Sequence, residues 1–240
     1  MRMFRDVLAA GLASILFLAS TGVNWSKESK PAVRWVEGQP GCVFSRSDDG
    51  KYHYDLWHGD SAVLMAIDSQ ELVKVHRRNE PFFSVFLTVR YRGNDSLALR
   101  SSEVTLEFVS HFHVIQSALD PDQFAEKVQG DADSVDHQAT REIQKHPERR
   151  AAKEQYVRAF QKDAAELIEF VSKNSLRSVE LEPANAEARG WVFFSTASKW
   201  ISGWKKQEEF ILRVPFADEV FEFPFKLPPQ QGEILLRKRN

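Results

Sequence analysis

Phe210-Ile211-Leu212-Arg213-Val214-Pro215-Phe216-Ala217-Asp218-Glu219-Val220-Phe221-Glu222-Phe223-Pro224-Phe225 alternates large apolar residues with polar residues or prolines on either side of Ala217-Asp218. A period of two marks a strand with one buried face, so the stretch is predicted to be a β-hairpin. Its register follows because residues directly opposite each other share a face. A two- or four-residue connection around Ala217-Asp218 sets Val214 against Phe221, Leu212 against Phe223 and Phe210 against Phe225, with Arg213 against Glu222 on the other face. A three-residue connection puts Val214 against Glu222 and spoils both faces, so the even connection is expected. Pro215 and Pro224 have no N–H to give a neighbouring strand, which places at least one side of the hairpin near a sheet edge.

The same alternation recurs upstream. From Phe82 to Arg92, Phe83, Val85, Leu87, Val89 and Tyr91 share one face, while Ser84, Thr88, Arg90 and Arg92 share the other with Phe82 and Phe86. Val104 to Phe112 alternates again, with Val104, Leu106, Phe108 and Phe112 expected on one face. Asp48-Asp49-Gly50 is a turn, since Asp side chains bond local backbone and Gly accepts positive φ. It separates Cys42-Val43-Phe44-Ser45 from Tyr52-His53-Tyr54-Asp55-Leu56-Trp57. Further short strands are expected at Val63–Ile67, Leu72–His76, Val179–Leu181 and Trp191–Ser195. The fold class is therefore mainly β, an antiparallel β-sandwich, interrupted by one helical insertion at 120–173 that makes the chain α+β overall.

Within that insertion Asp120-Pro121 supplies a helix cap and a helix-compatible first residue. A short helix is expected to about Gln129, a break at Gly130-Asp131-Ala132-Asp133, and a second helix from Ser134 to about Lys145. After His146-Pro147, a long helix over Pro147–Val171 carries a stripe of Ala152, Tyr156, Ala159 or Phe160, Ala164, Leu167, Ile168 and Val171.

Residues 1–22 order themselves as a secretory signal does: Arg2 and Arg5, an uncharged run from Val7 to Ala19, then Ser20-Thr21-Gly22. Cleavage is expected, with a retained membrane anchor over Val7–Val23 as the alternative. Residues 23–41 read as a tether in which Ala32–Val36 has strand character, and 42–240 as one domain. The protein is accordingly expected outside the cytoplasm, periplasmic or secreted. The formal net charge of −2 gives no electrostatic case for a nucleic-acid partner. Eighteen phenylalanines and six tryptophans argue for a packed core. The single cysteine, Cys42, forms no internal disulfide and is read as a small apolar residue.

Chemistry-bearing patterns are few. His111-x-His113 on a strand points two imidazoles the same way, as metal ligands require, but a third ligand has to come from His53, His58, His76 or a distant carboxylate. Asp131 to Glu142 echoes a calcium loop, yet Val135 and Asp136 stand where a ligand and a glycine are needed. Trp200-Ile201-Ser202-Gly203-Trp204-Lys205-Lys206 combines rings and cations on a loop, so Trp200, Trp204, Lys205 and Lys206 are the candidate binding residues. No catalytic triad elbow, phosphate-binding glycine loop or dinucleotide fingerprint occurs. No cofactor, metal or catalytic residue is assigned.

Val89-Arg90-Tyr91-Arg92, followed by Gly93-Asn94-Asp95 and a second alternating strand to Phe108, resembles exported bacterial immunoglobulin-like domains, and Phe210–Leu227 is similar to their closing hairpin. The likeness covers about a third of the chain and rests on pattern; the helical insertion and the missing Cys…Trp…Cys spacing depart from it. It implies a sandwich and carries no activity. The expected function is an exported, non-enzymatic binding or structural module acting on an unknown protein or envelope component. Two alternatives stand beside it: a metal- or carboxylate-dependent envelope hydrolase using His111 and His113, and a membrane-anchored interaction domain that docks through the helical insertion.

Overall fold

The hairpin forms in the expected register. β11 (Glu208–Phe216) pairs antiparallel with β12 (Glu219–Leu227), Val214 facing Phe221, Leu212 facing Phe223, Phe210 facing Phe225 and Arg213 facing Glu222 across a two-residue turn. The computed structural model describes residues 30–48, 50–68, 82–196 and 207–227. The export segment, Leu72–His76 and the tryptophan loop at 197–206 lie outside the described residues.

The other elements, in chain order, are β1 (Ala32–Arg34), β2 (Cys42–Arg46), β3 (Lys51–His58), β4 (Ser61–Asp68), β5 (Phe82–Tyr91), β6 (Leu97–Leu99), β7 (Thr105–Phe108), β8 (Val114–Ser117), α1 (Pro121–Lys145), α2 (Arg150–Asn174), β9 (Val179–Leu181) and β10 (Glu187–Ser195). Among the described residues they form a mainly β protein with two α-helices. A first sheet runs β1-β12-β11-β7-β8, a second runs β10-β5-β4-β3-β2, and β6 pairs with β9 apart from both. All pairs are antiparallel except β1 with β12.

The two large sheets enclose one apolar core. Leu106, Phe108, Phe210, Leu212, Val214, Phe221 and Phe223 enter it from the first sheet; Tyr54, Leu56, Val63, Met65, Phe83, Val85, Leu87 and Phe194 enter from the second. Phe210 sits at its centre, stacked on Phe83 at 5.2 Å and Phe225 at 5.1 Å, with Phe108 edge-on at 5.5 Å. Ala32–Arg34, inside the stretch read as tether, pairs with Val220–Glu222, and Trp35 is buried against the core, so the folded body begins before Cys42.

The prolines fall where the hairpin has lost a neighbour. The Val220 N–H donates to Pro31 O, so Val220 and its partner Pro215 turn their backbone groups away from each other. Pro215 then faces the β7 side of β11, past Thr105, where β7 pairing begins. Pro224 faces the β1 side of β12, past Arg34, where β1 pairing ends. Both missing N–H groups thus fall at edge positions.

The insertion is a helical hairpin. Asp120 caps α1, accepting from the Asp122 and Gln123 N–H groups at 3.0 Å each. The expected break at Gly130 does not occur: α1 is one helix of 25 residues. Gly130 sits on the exposed side, whereas Phe124, Val128, Ala132 and Ala139 form a buried stripe through it. That stripe outweighs a helical glycine's cost of about 1 kcal/mol. The break at His146-Pro147 is present, and Pro147–Arg149 makes a single 3₁₀ turn before α2.

Among the described residues, the base of the hairpin is the part that packs on the sheets. Phe124, Val128 and Ala132 from α1, and Ala164 and Val171 from α2, cluster with Phe82 and Phe193 on the outward face of the second sheet. Farther out, Glu142 of α1 and Lys153 of α2 form an ion pair between the helices. At about 1.5 Å per residue each helix is roughly 37 Å long. The stripe expected on α2 is covered in its second half alone: Ala152, Tyr156 and Ala159 are exposed, and Val157 takes the buried position instead.

Candidate functional site

The tryptophan loop that the sequence nominated, with Trp200, Trp204, Lys205 and Lys206, lies outside the described residues. The strand leading to it, β10, ends at Ser195 beside Phe82.

His111 and His113 are not on a strand. β7 stops at Phe108, and the chain turns through Phe112 and His113, both at φ 56°, before β8 begins. The Val114 N–H closes the turn on His111 O at 3.2 Å, as in a type I′ hairpin. The alternation therefore breaks, and Phe112, expected inside with Phe108, is 99% exposed. The two imidazoles part company: His111 Nε2 meets Glu208 Oε2 at 3.2 Å, and His113 Nδ1 meets Glu107 Oε1 at 2.5 Å. Among the described residues no group of three or more His, Cys, Asp or Glu side chains is placed to hold a metal ion. The calcium-like stretch lies within α1, where Asp131 pairs with Lys127.

Left-handed backbone costs about 1–2 kcal/mol for an ordinary L residue, and Asn tolerates it. Phe112→Asn is therefore expected to raise stability by about 1 kcal/mol. A urea melt in which the variant is no more stable than the parent contradicts that assignment of strain.

Glu107 is buried on the outward face of the first sheet and joins a line of alternating charge that crosses it. Arg213 Nη2 reaches Glu107 Oε2 at 2.6 Å, Arg213 Nε reaches Glu222 Oε1 at 2.8 Å, and Arg34 Nη1 reaches Glu222 Oε2 at 3.4 Å. Burial pushes the Glu107 carboxyl up, but bonds from His113 and Arg213 and the guanidinium charge outweigh it and hold the carboxyl below its ordinary value. A depressed folded-state value gives stability that is complete above the unfolded pKa of about 4.3 and is lost as pH falls through the folded one. Glu107→Gln should cost about 2 kcal/mol at neutral pH and flatten the acid limb of the stability curve. An unchanged acid limb would show that the line is not stabilising.

The outward face of the second sheet holds a different set. Tyr52, Tyr54 and Leu56 of β3 point into the core, so His53, Asp55 and Trp57 point out. Register builds three rows across the strands. Trp57, Ala62, Arg90 and Glu187 form one; Val43, Asp55, Leu64, Thr88 and Arg189 the next; Ser45, His53, Ala66, Phe86 and Trp191 the third. Ala62 and Ala66 are buried although their methyls face outward, because larger neighbours on β3 and β5 rise on both sides. The outward face therefore dips at Ala62 and Ala66, on either side of Leu64, among half-buried rings and polar side chains, and this strip along β4 is a shallow, interrupted trough. Phe86 meets Trp191 edge-on at 5.5 Å, and Arg92 lies 5.2 Å over the Trp57 ring. The helical hairpin borders the trough through Phe170, whose ring is 5.9 Å from that of Trp191.

Asp55 is the electrostatic anomaly of this face. Burial raises its pKa above the ordinary value, and the charges of His53 and Arg90, which pull it down, do not compensate. His53 Nε2 lies 3.2 Å from Ser47 Oγ, and His53 and Asp55 share the outward face of β3. The Ser47 N–H is bonded to Lys51 O and the Gly50 N–H to Ser47 O, so neither of these two amides is available to an oxyanion. The set does offer ring faces for apolar surface, a carboxyl for a donor, and imidazole and guanidinium groups for acceptors. The alternation of Tyr52–Trp57 is the sequence signal for this face, since a period of two puts His53, Asp55 and Trp57 together opposite Tyr52, Tyr54 and Leu56. Compared with family models, with curated proteins and with solved structures, the chain matches none.

Proposed function

We propose that this chain is an exported, non-enzymatic binding module of immunoglobulin-like architecture whose ligand sits in the trough on the outward face of the second sheet. The observation that carries the proposal is Asp55, a desolvated carboxyl between His53 and Trp57 on the outward face of β3 and opposite Leu64 of β4, ionised at a cost to stability. Groups with such perturbed ionisation gather at functional sites. The ligand combines an apolar surface for the rings with hydrogen-bond donors for Asp55. Export rests on the basic, apolar and small-residue order of the first 22 positions.

Two experiments test this. Fractionation and intact mass of the full chain in a Gram-negative host should show loss of the leader and a soluble periplasmic product; full-length protein in the membrane fraction would make Val7–Val23 an anchor. Titration with oligosaccharides, peptides and polyamines, followed by indole emission, should show a response lost in Trp57→Ala and Phe86→Ala. A response that survives both substitutions, or none from any of the three classes, would remove the trough as the site. The exposed strip Ala152, Tyr156 and Ala159 favours a second contact, with a protein partner, on the helical hairpin. Tyr156→Ser should then weaken that partner's binding without changing the melting temperature, and unaltered binding would argue against it.

A further inference from the structure

The trough carries a repeat along its length. Its two dips, at Ala62 and Ala66, stand four residues apart on β4, about 13 Å along the strand. Each dip has a half-buried ring beside it on a neighbouring strand: Trp57 of β3 pairs with Ala62, and Phe86 of β5 pairs with Ala66. Both rings are held by a neighbour. Arg92 lies 5.2 Å over Trp57, and Trp191 meets Phe86 edge-on at 5.5 Å, so the two ring positions are set before a ligand arrives. Between the dips, Asp55 and Thr88 flank Leu64 from either side, and Arg189 of β10 lies opposite Thr88. Among the described residues, none of these three polar side chains has a hydrogen-bond partner.

These groups ask opposite things of a ligand. The Asp55 carboxylate accepts, the Arg189 guanidinium donates, and the Thr88 hydroxyl does both. A polyamine only donates and leaves Arg189 unmet. An acyl chain has no donor for Asp55. An extended peptide draws its affinity from backbone bonds at a sheet edge, whereas β4 is paired on both sides and presents side chains alone. A sugar unit has an apolar C–H face that stacks on a ring and a rim of hydroxyls that both donate and accept. A chain of such units repeats both features along its length, as the trough does. Taking the trough as the binding site, we propose that its ligand is an extended carbohydrate chain lying along β4. Sugar units stack on Trp57 and Phe86 over the two dips, and hydroxyls of the units between them bond to Asp55 and Thr88, with Arg189 donating from the β10 side. A disaccharide is too short to reach both rings.

The test titrates the full chain, by calorimetry, with cellohexaose, chitohexaose, xylohexaose and mannohexaose, with the matching disaccharides, and with spermine and a tryptic digest of casein. At least one hexaose should bind, about tenfold or more tighter than its own disaccharide. Trp57→Ala and Phe86→Ala should each weaken that hexaose by about tenfold or more. Ala66→Leu, which fills one dip with an outward side chain, should weaken it as much while melting like the parent, and this separates lost binding from lost fold. No response to any hexaose, a disaccharide as tight as its hexaose, or hexaose binding untouched by these substitutions overturns the carbohydrate assignment. Spermine or peptide binding that the substitutions abolish, with no hexaose response, overturns it too but keeps the trough as a site. Silence from every probe removes both.

Discussion

Phe210→Ala is expected to lower the stability of this protein by about 4 kcal/mol, a fall in melting temperature of roughly 10 °C. The ring touches both sheets: Phe83 stacks on it from the second, and Phe108 and Phe225 pack on it within the first. Its neighbours are fixed to opposite sheets and cannot close together over the lost volume, so the cavity term stays near its full size. Phe112→Ala removes the same atoms from a solvent-exposed site and should leave the melt unchanged. Equal losses for the two variants would mean that Phe210 is not central to the core.

Gly190→Ala adds a single methyl and should still cost about 3 kcal/mol. Gly190 lies in β10 opposite Leu87, and a Cβ there would stand 2.4 Å from Leu176 N and 2.6 Å from Ser175 C. Both are backbone atoms, so no rotamer change relieves the overlap. The chain leaving α2 runs against β10 at this point, with Ser175 bridged to Trp191 and the Leu176 N–H donating to Trp191 O at 2.9 Å. Relief requires that segment to lift away. Hydrogen exchange should accelerate first at Ser175–Leu176 and along the end of α2, while the β3–β4 pairing stays protected. Uniform acceleration, or none, would contradict this account of the glycine.

The hairpin register was legible because each strand of β11–β12 carries one apolar and one polar face and only an even connection satisfies both. α1 was harder. Its glycine, two aspartates and short apolar residues look like a break until a partner helix covers Val128, Ala132 and Ala139, and that burial is a tertiary property. Phe112 was misplaced for a related reason: alternation predicts burial only while the chain stays extended, and two left-handed residues end the strand at Phe108. The trough was half legible. Its rows depend on which strands are neighbours, and β10 reaches β5 only after the helical insertion, a connection that local pattern does not encode.

Asp55→Asn is the most direct test of the trough as the binding site, with melting temperature and ligand affinity measured on the same preparation. Burial raises the folded-state pKa of Asp55. Its ionised form therefore costs stability once pH climbs through the unfolded value of about 3.9 and past the folded one, and at neutral pH that cost is fully present. A carboxyl kept there for its ligand should give opposite signs in the two measurements: Asp55→Asn melts higher at pH 7 and binds weaker. A variant that melts lower, or that binds as the parent does, would show Asp55 to be a structural residue and would move the binding site elsewhere.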